Sequence, residues 1–182
     1  MYDLIIIGSG PAGYVAAERA GERGKRVLLV EKAPHLGGVC LNSGCIPTKS
    51  MLYSAKLFDH ARHAEAFGVK IAGATFDYPA VKARTEGVQE TLRKGIAGLM
   101  KKNKVEVVAG AARIVAPRKV EVNGTVYEGA NLLICTGSRP FVPPVPGLQT
   151  IQSGTGCGSC AICTKIDSAM LLFARQSVAR SA

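Results

Sequence analysis

The chain has 182 residues, 47% of them hydrophobic and 20% charged, with 23 Lys and Arg against 13 Asp and Glu and a formal net charge of +10. That length supports one domain with a proper core, and the composition is ordinary for a soluble globular protein. The positive charge is spread without a block of like charge, interleaved aromatics or a known binding motif, which argues against a nucleic-acid partner. A solvated basic surface that attracts a phosphate-bearing ligand accounts for it. No signal peptide precedes the first apolar run, and no run approaches the ~20 residues that span a bilayer. The expectation is a cytoplasmic chain with no membrane partner, where closely spaced cysteines serve catalysis or metal binding more often than structure.

Leu4-Ile-Ile-Ile7 predicts a central parallel strand covered on both faces. Gly8-Ser-Gly-Pro-Ala-Gly13 follows, then a helix to about Gly21, then a second buried strand, Val27-Leu-Leu-Val30, ending in Glu31. This is the strand-turn-helix-strand unit that binds a dinucleotide. Gly8 permits the tight turn, Gly10 lets the backbone approach a pyrophosphate at the helix N-terminus, and Gly13 lets helix and strand pack closely. Glu31 stands where a carboxylate accepts hydrogen bonds from the adenosine ribose and repels a 2′-phosphate, which favours FAD or NAD over NADP.

Cys40 and Cys45 come next, flanked by glycines, with Pro47 opening a helix-periodic segment. They read as a redox pair at a helix N-terminus, whose positive dipole end stabilises a thiolate. Pro47 suits the first turn. Residues five apart cannot pair along an undistorted helix, so Gly44 is expected to supply a bend. A dithiol needs an electron acceptor beside it, and flavin passes electrons between a thiol pair and a nicotinamide, which favours FAD. Met51, Leu52, Ala55 and Phe58 predict a core-facing helix over 46–64.

Residues 79–102 predict an amphipathic, structural helix with Val81, Val88, Leu92, Ile96 and Leu99 on one stripe. Val105–Val108 predicts a third parallel strand. A β-meander follows: Val120–Val122, an Asn123-Gly124 turn and Thr125–Tyr127. Leu132–Cys135 returns to the sheet, with Cys135 as a small buried residue. His35, His60 and His63 read as surface residues. Pro140, Pro143, Pro144 and Pro146 make a stiff exit.

The run from Gly37 to Lys49, GGVCLNSGCIPTK, with the fingerprint upstream, resembles the active-site segment of the flavin-dependent pyridine-nucleotide disulfide oxidoreductases. It is most like their dihydrolipoamide dehydrogenase branch. Glutathione- and mercuric-reductase types share the two-thiol frame and stand as alternatives, as does a non-catalytic flavin- or metal-binding module. The resemblance covers about residues 1–148. It implies an α/β fold, a Rossmann-like FAD-binding domain with a parallel sheet and an added β-meander. It also implies that Cys40 exchanges with substrate and Cys45 lies against the flavin. The FAD-contacting residues it implies are Gly8, Gly10, Pro11, Ala12, Gly13, Glu31, Lys32, Gly37, Gly38, Val39, Cys40, Lys49, Ala112 and the Thr136-Gly137 pair. Lys49, one turn past Cys45, would sit near the flavin, with a solvated surface lysine as the plain alternative. The implied reaction oxidises dihydrolipoamide with NAD, on a lipoamide-type substrate of a 2-oxoacid dehydrogenase or glycine cleavage complex.

Beyond Leu148 the resemblance stops. The expected organisation is therefore a FAD-binding domain over 1–150 and a foreign, poorly ordered tail over 151–182, such as the read-through of a frame-shifted or truncated gene. The family's NAD domain, FAD return segment and dimer-interface domain with its His–Glu pair are not in this sequence, so little activity alone is expected. Gly154–Gly158 has no strand before it and is rejected as an NAD fingerprint. Cys157, Cys160 and Cys163 form CxxCxxC without a fourth ligand, so no metal site is assigned. Ser168–Val178 could form one amphipathic helix.

Overall fold

β1 (Tyr2–Ile7) and β2 (Val27–Glu31) lie side by side and parallel, Ile5 against Leu28 and Ile6 against Leu29, in a computed structural model that describes residues 1–138. β3 (Glu106–Ala109) extends the parallel set beyond β2. β4 (Ala112–Ala116), β5 (Lys119–Val122) and β6 (Thr125–Ile134) complete one sheet of order β3-β2-β1-β6-β5-β4. The helices are α1 (Pro11–Glu22), α2 (Gly38–Asn42), α3 (Cys45–Arg62) and α4 (Tyr78–Lys102), with a 3-10 turn at Ala64–Phe67. The Pro-rich exit and all expectations for 151–182 fall outside the described residues.

Continuous apolar runs in β1 and β2 arise because both faces are covered. Ile5, Leu28 and Val30 meet Val120 and Val122 of β5 on one face. Ile6, Val27 and Leu29 meet Ala17 of α1, Met100 of α4 and Val105 on the other. The sheet is thus sandwiched between a helix layer and its own meander, as the α/β reading with an added meander expected.

β6 corrects the expected division into two segments. It is one ten-residue strand that changes partner, Tyr127 opposite Val120 of β5 antiparallel and Leu132 opposite Ile5 of β1 parallel. Glu128-Gly-Ala-Asn131 reads as a loop because Gly and Asn are poor strand formers. At Gly129 a Cβ would lie 2.8 Å from Ile5 Cγ1, so the missing side chain leaves room for Ile5 where the strand passes from β5 to pair with β1. The Asn123-Gly124 turn is as expected, with φ of 51° and 80°.

Two helix faces also differ from expectation. On α3, Leu52 and Ala55 are exposed, Leu52 to 58%, and the buried residues are Pro47 and Ser50. α3 meets α4 through Ser50 against Thr85 and Arg84 and through Tyr53 under the Arg84 guanidinium, while Phe58 meets Phe76 at 5.5 Å with the rings tilted by 59°. On α4, Ile96 is buried as expected, but Leu92 is 40% exposed and the inward line is Thr85, Gln89, Ile96 and Met100. No helix of the described residues is long and apolar enough to cross a membrane.

Candidate active site

The turn after β1 is shaped by what its glycines lack. Gly8 has φ +99°, and a Cβ there would collide with the Cys135 carbonyl oxygen. Its N–H donates to Val30 O at 2.8 Å, which ties the turn to β2. A Cβ on Gly13 would collide with the Gly8 carbonyl oxygen, so α1 leaves the sheet in backbone contact with the turn. Gly10 differs: nothing lies within 4 Å of a Cβ there, and no side chain caps the α1 N-terminus. Pro11 and Ala12 follow exposed in the first turn. The arrangement leaves open space before α1, where unpaired N–H groups and the helix dipole favour an anion.

The glycine pair before the thiols abuts this turn. Gly37 N–H donates to Ser9 O at 3.0 Å, and a Cβ on Gly38 would lie 2.6 Å from Gly10 Cα. Both adopt left-handed φ, 99° and 60°, so two glycine loops stack backbone on backbone. Val39 is 58% exposed beside them.

Cys40 lies in α2 and Cys45 opens α3, the two short of a continuous helix because of Gly44. Gly44 has φ −124° and ψ −109°, and a Cβ would stand 2.9 Å from Val39 O, so the expected bend is there. Both thiols are free, Cys40 half-buried and Cys45 exposed, and their side chains hydrogen-bond to one another. Burial, that hydrogen bond and the charge of Cys45 push the Cys40 thiol up to about 11, against weaker pulls from the Cys45 N–H and Lys49. Cys40 is therefore a protonated thiol at neutral pH. Between about 9 and 11 the unfolded chain releases that proton while the folded chain holds it, so stability falls as pH rises through this window. In the reduced protein iodoacetamide at pH 8 should modify Cys45 well before Cys40, with the Cys40 rate climbing toward pH 11; equal rates at pH 8, read by peptide mass, would contradict this burial and pairing.

Glu31 is engaged by its own chain in a way the ribose reading did not include. Its Oε2 accepts from Ser9 N at 2.7 Å and Ser9 Oγ at 2.6 Å, and its Oε1 accepts from Ala33 N at 2.8 Å. Burial pushes the carboxyl up, and the hydrogen bonds from Ser9, Ala33 and Lys32 outweigh it and hold it below the ordinary value. Lys32 is exposed next to it. Lys49 is exposed on α3, close enough for its charge to bear on Cys40. Ala112 is half-buried at the start of β4 against the meander-side core. Thr136 and Gly137 are exposed just past β6, Gly137 with φ 73°. Cys135, expected to be buried, is half-buried against the helix-side core, and His35, His60 and His63 are exposed, as expected.

The sequence reading missed a set of polar residues on α4. Gln89, 7% exposed, donates from Nε2 to the Leu41 and Asn42 carbonyls at 3.0 and 2.9 Å. Arg93 Nε donates to Asn42 Oδ1 at 2.8 Å, and Asn42 Nδ2 donates on to Leu36 O and Gly38 O. Nearer the helix start, Thr85 Oγ1 lies 3.1 Å from Ser50 Oγ, to which Arg84 donates at 2.9 Å. A signal existed: Thr85, Gln89 and Arg93 recur every four residues, on a helix read only for apolar periodicity.

A parallel strand set flanked by an antiparallel meander thus holds an open, glycine-lined helix N-terminus against a thiol pair. The family model for pyridine nucleotide-disulphide oxidoreductases matches residues 2–175, and the chain belongs to that family. It is 46% identical over 149 residues to dihydrolipoyl dehydrogenase of Acholeplasma laidlawii, covering 81% of this chain and 44% of that one. It is 50% identical over 140 residues to the dihydrolipoyl dehydrogenase of Thermus scotoductus, covering 77% and 30%. Among solved structures, a Cu(II) complex of the HOCl-induced flavoprotein disulfide reductase RclA from Escherichia coli superposes with a TM-score of 0.65 at 28% identity, over 81% of this chain and 30% of that one. The chain spans less than half the length of these relatives. Of these relatives, the Escherichia coli protein is named a flavoprotein disulfide reductase.

Proposed function

We propose that the chain is the FAD-binding, dithiol-bearing part of a dihydrolipoyl dehydrogenase-type enzyme, with little turnover on its own. The observation that supports this best is the contact of Gly38 with Gly10, 2.6 Å from a would-be Cβ, which puts the Cys40 helix against the dinucleotide turn. The residues present fit FAD: Gly10, Pro11, Ala12 and Gly13 would hold its pyrophosphate, Glu31 and Lys32 its ribose end, and Gly37, Gly38, Val39, Lys49, Ala112, Thr136 and Gly137 would complete the cradle. When bound, FAD supplies a two-electron relay between a thiol pair and a nicotinamide.

The chain's own part is thiol chemistry. A substrate thiolate attacks Cys40 sulfur of the oxidised pair, the Cys40–Cys45 bond breaks, and Cys45 leaves as a thiolate at the first position of α3, where the dipole is positive. The second substrate thiol then displaces Cys40, closing the substrate disulfide. Cys40 departs with its bonding electrons and takes up a proton, which a thiol raised to about 11 retains. Dihydrolipoamide carried by a 2-oxoacid dehydrogenase or glycine cleavage complex, NAD as final acceptor and a cytoplasmic setting belong to this proposal.

The test is the purified chain with FAD, reduced stepwise with dihydrolipoamide. A long-wavelength thiolate-to-flavin absorbance should grow in and be absent in Cys45→Ser. A band unchanged by that substitution, or faster reduction by glutathione, overturns the assignment.

A further inference from the structure

We propose that Thr85, Gln89 and Arg93 of α4 form a splint that holds Cys40 and Cys45 within bonding reach and so sets the redox equilibrium of the pair. The inference rests on the dithiol reading above and adds positioning residues to it. α2 has only five residues, too few to persist as an isolated helix. Its last carbonyls, Leu41 and Asn42, would go unpaired where the chain breaks at Gly44, and Gln89 Nε2 donates to both. Arg93 fixes the Asn42 carboxamide by donating to Oδ1, which aims Nδ2 at Leu36 O and Gly38 O and ties α2 back to the glycine loop.

On the other side of the Gly44 bend, α3 is held by the same helix, through Ser50 against Thr85 and Arg84. Thr85, Gln89 and Arg93 share one face and span about 12 Å of a rigid rod at 1.5 Å per residue. The rod therefore grips both the Cys40 side and the Cys45 side of the Gly44 bend, across which the Cys45 thiol and N–H also bond to Cys40. Thr85 and Gln89 are almost fully buried, which limits competition from water for their own bonds. Forming the disulfide depends on the effective concentration of one thiol at the other. Fixing both helices to one rod raises it.

The experiment equilibrates the full chain with mixtures of oxidised and reduced dithiothreitol. Two S–H bonds are lost at Cys40 and Cys45 and one S–S bond forms; the oxidised dithiothreitol S–S takes the two electrons and two protons and opens to a dithiol. Alkylation and peptide mass report the state of Cys40 and Cys45 alone. Gln89→Met, of equal length without donors, should lower the equilibrium constant for ring closure about tenfold, which for a two-electron couple is about 30 mV. Arg93→Met should act in the same direction, and Arg93→Lys, which keeps a donor, should recover most of the loss. Ile96→Val, on the same helix facing the apolar core, should lower the melting temperature and leave the constant within about twofold, which a merely structural role for Gln89 would also predict of Gln89→Met.

A wild-type constant in Gln89→Met overturns the splint. If Gln89→Met shows no cooperative melt, Thr85→Val carries the decision, with about a threefold loss expected and an unchanged constant overturning it. A wild-type chain that forms no Cys40–Cys45 disulfide at any ratio instead overturns the dithiol reading, which separates the two failures.

Discussion

Gly13→Ala should cost the fold at least about 3 kcal/mol, while Gly10→Ala, three residues earlier in the same motif, should leave the fold intact and weaken FAD binding. At Gly13 a Cβ would collide with the Gly8 carbonyl oxygen and stand 2.9 Å from the carbon behind it. Those are backbone atoms that cannot swing aside. Gly8 is locked at φ +99° and its N–H is bonded to Val30 at 2.8 Å. Overpacking in a yielding core costs about 1–3 kcal/mol, and a rigid backbone collision belongs at or above the top of that range. Set against a total stability of roughly 5–15 kcal/mol, that is a large share. At Gly10 nothing lies within 4 Å of the added methyl. Its φ of −64° suits any residue, so the fold should lose less than about 1 kcal/mol. The methyl would occupy the space through which the backbone approaches a pyrophosphate, and FAD affinity should fall at least about tenfold. Urea midpoints and flavin-fluorescence titrations separate the two outcomes. Equal instability of both variants, or unchanged FAD affinity in Gly10→Ala, would show that the two glycines have been assigned wrongly.

Glu31→Gln should destabilise the chain by about 2–3 kcal/mol at pH 7 and flatten its acid limb. Ser9 is fully buried, and both its N–H and its hydroxyl are aimed at Glu31 Oε2, with Ala33 N–H on Oε1. Hydrogen bonds to a charged acceptor are the stronger kind, and an amide in its place keeps one oxygen for the Ser9 donors and sets its NH2 against the Ala33 N–H. Burial raises the carboxyl, yet the Ser9, Ala33 and Lys32 bonds bring it below 4.5, so the folded chain binds the proton less readily than the unfolded one. The sign follows: this stabilisation is complete above 4.5 and is lost as pH falls through the lower folded value. Urea denaturation at pH 7 and pH 3 should show wild type and Glu31→Gln converging at the acid end. A gap of equal size at both pH values would mean that the charge contributes nothing.

How much of this was legible beforehand depends on whether the constraint is local. The glycine turn, the two buried strands, the Asn123-Gly124 turn and the Gly44 bend were readable because each follows from steric needs within a few residues. The fate of the Leu52 face on α3 and the line of Thr85 and Gln89 on α4 were not. Periodicity says which residues share a helix face and is silent on what lies opposite. The β6 strand hid for a related reason, since its Gly129 is unfavourable in isolation and is favoured only because the Ile5 side chain of β1 fills the space a Cβ would take.

By itself, then, the chain order of residues determined that there is a dinucleotide turn, a thiol pair and a sheet to carry them, since those depend on backbone sterics and thiol spacing. Only the tertiary structure decided that Gly38 rests on Gly10, that Ser9 occupies Glu31, and that Gln89 and Arg93 reach back some fifty residues to hold the Cys40 helix. Hydrogen bonds between distant segments are chosen by packing, because a buried donor takes whatever acceptor the fold brings within reach.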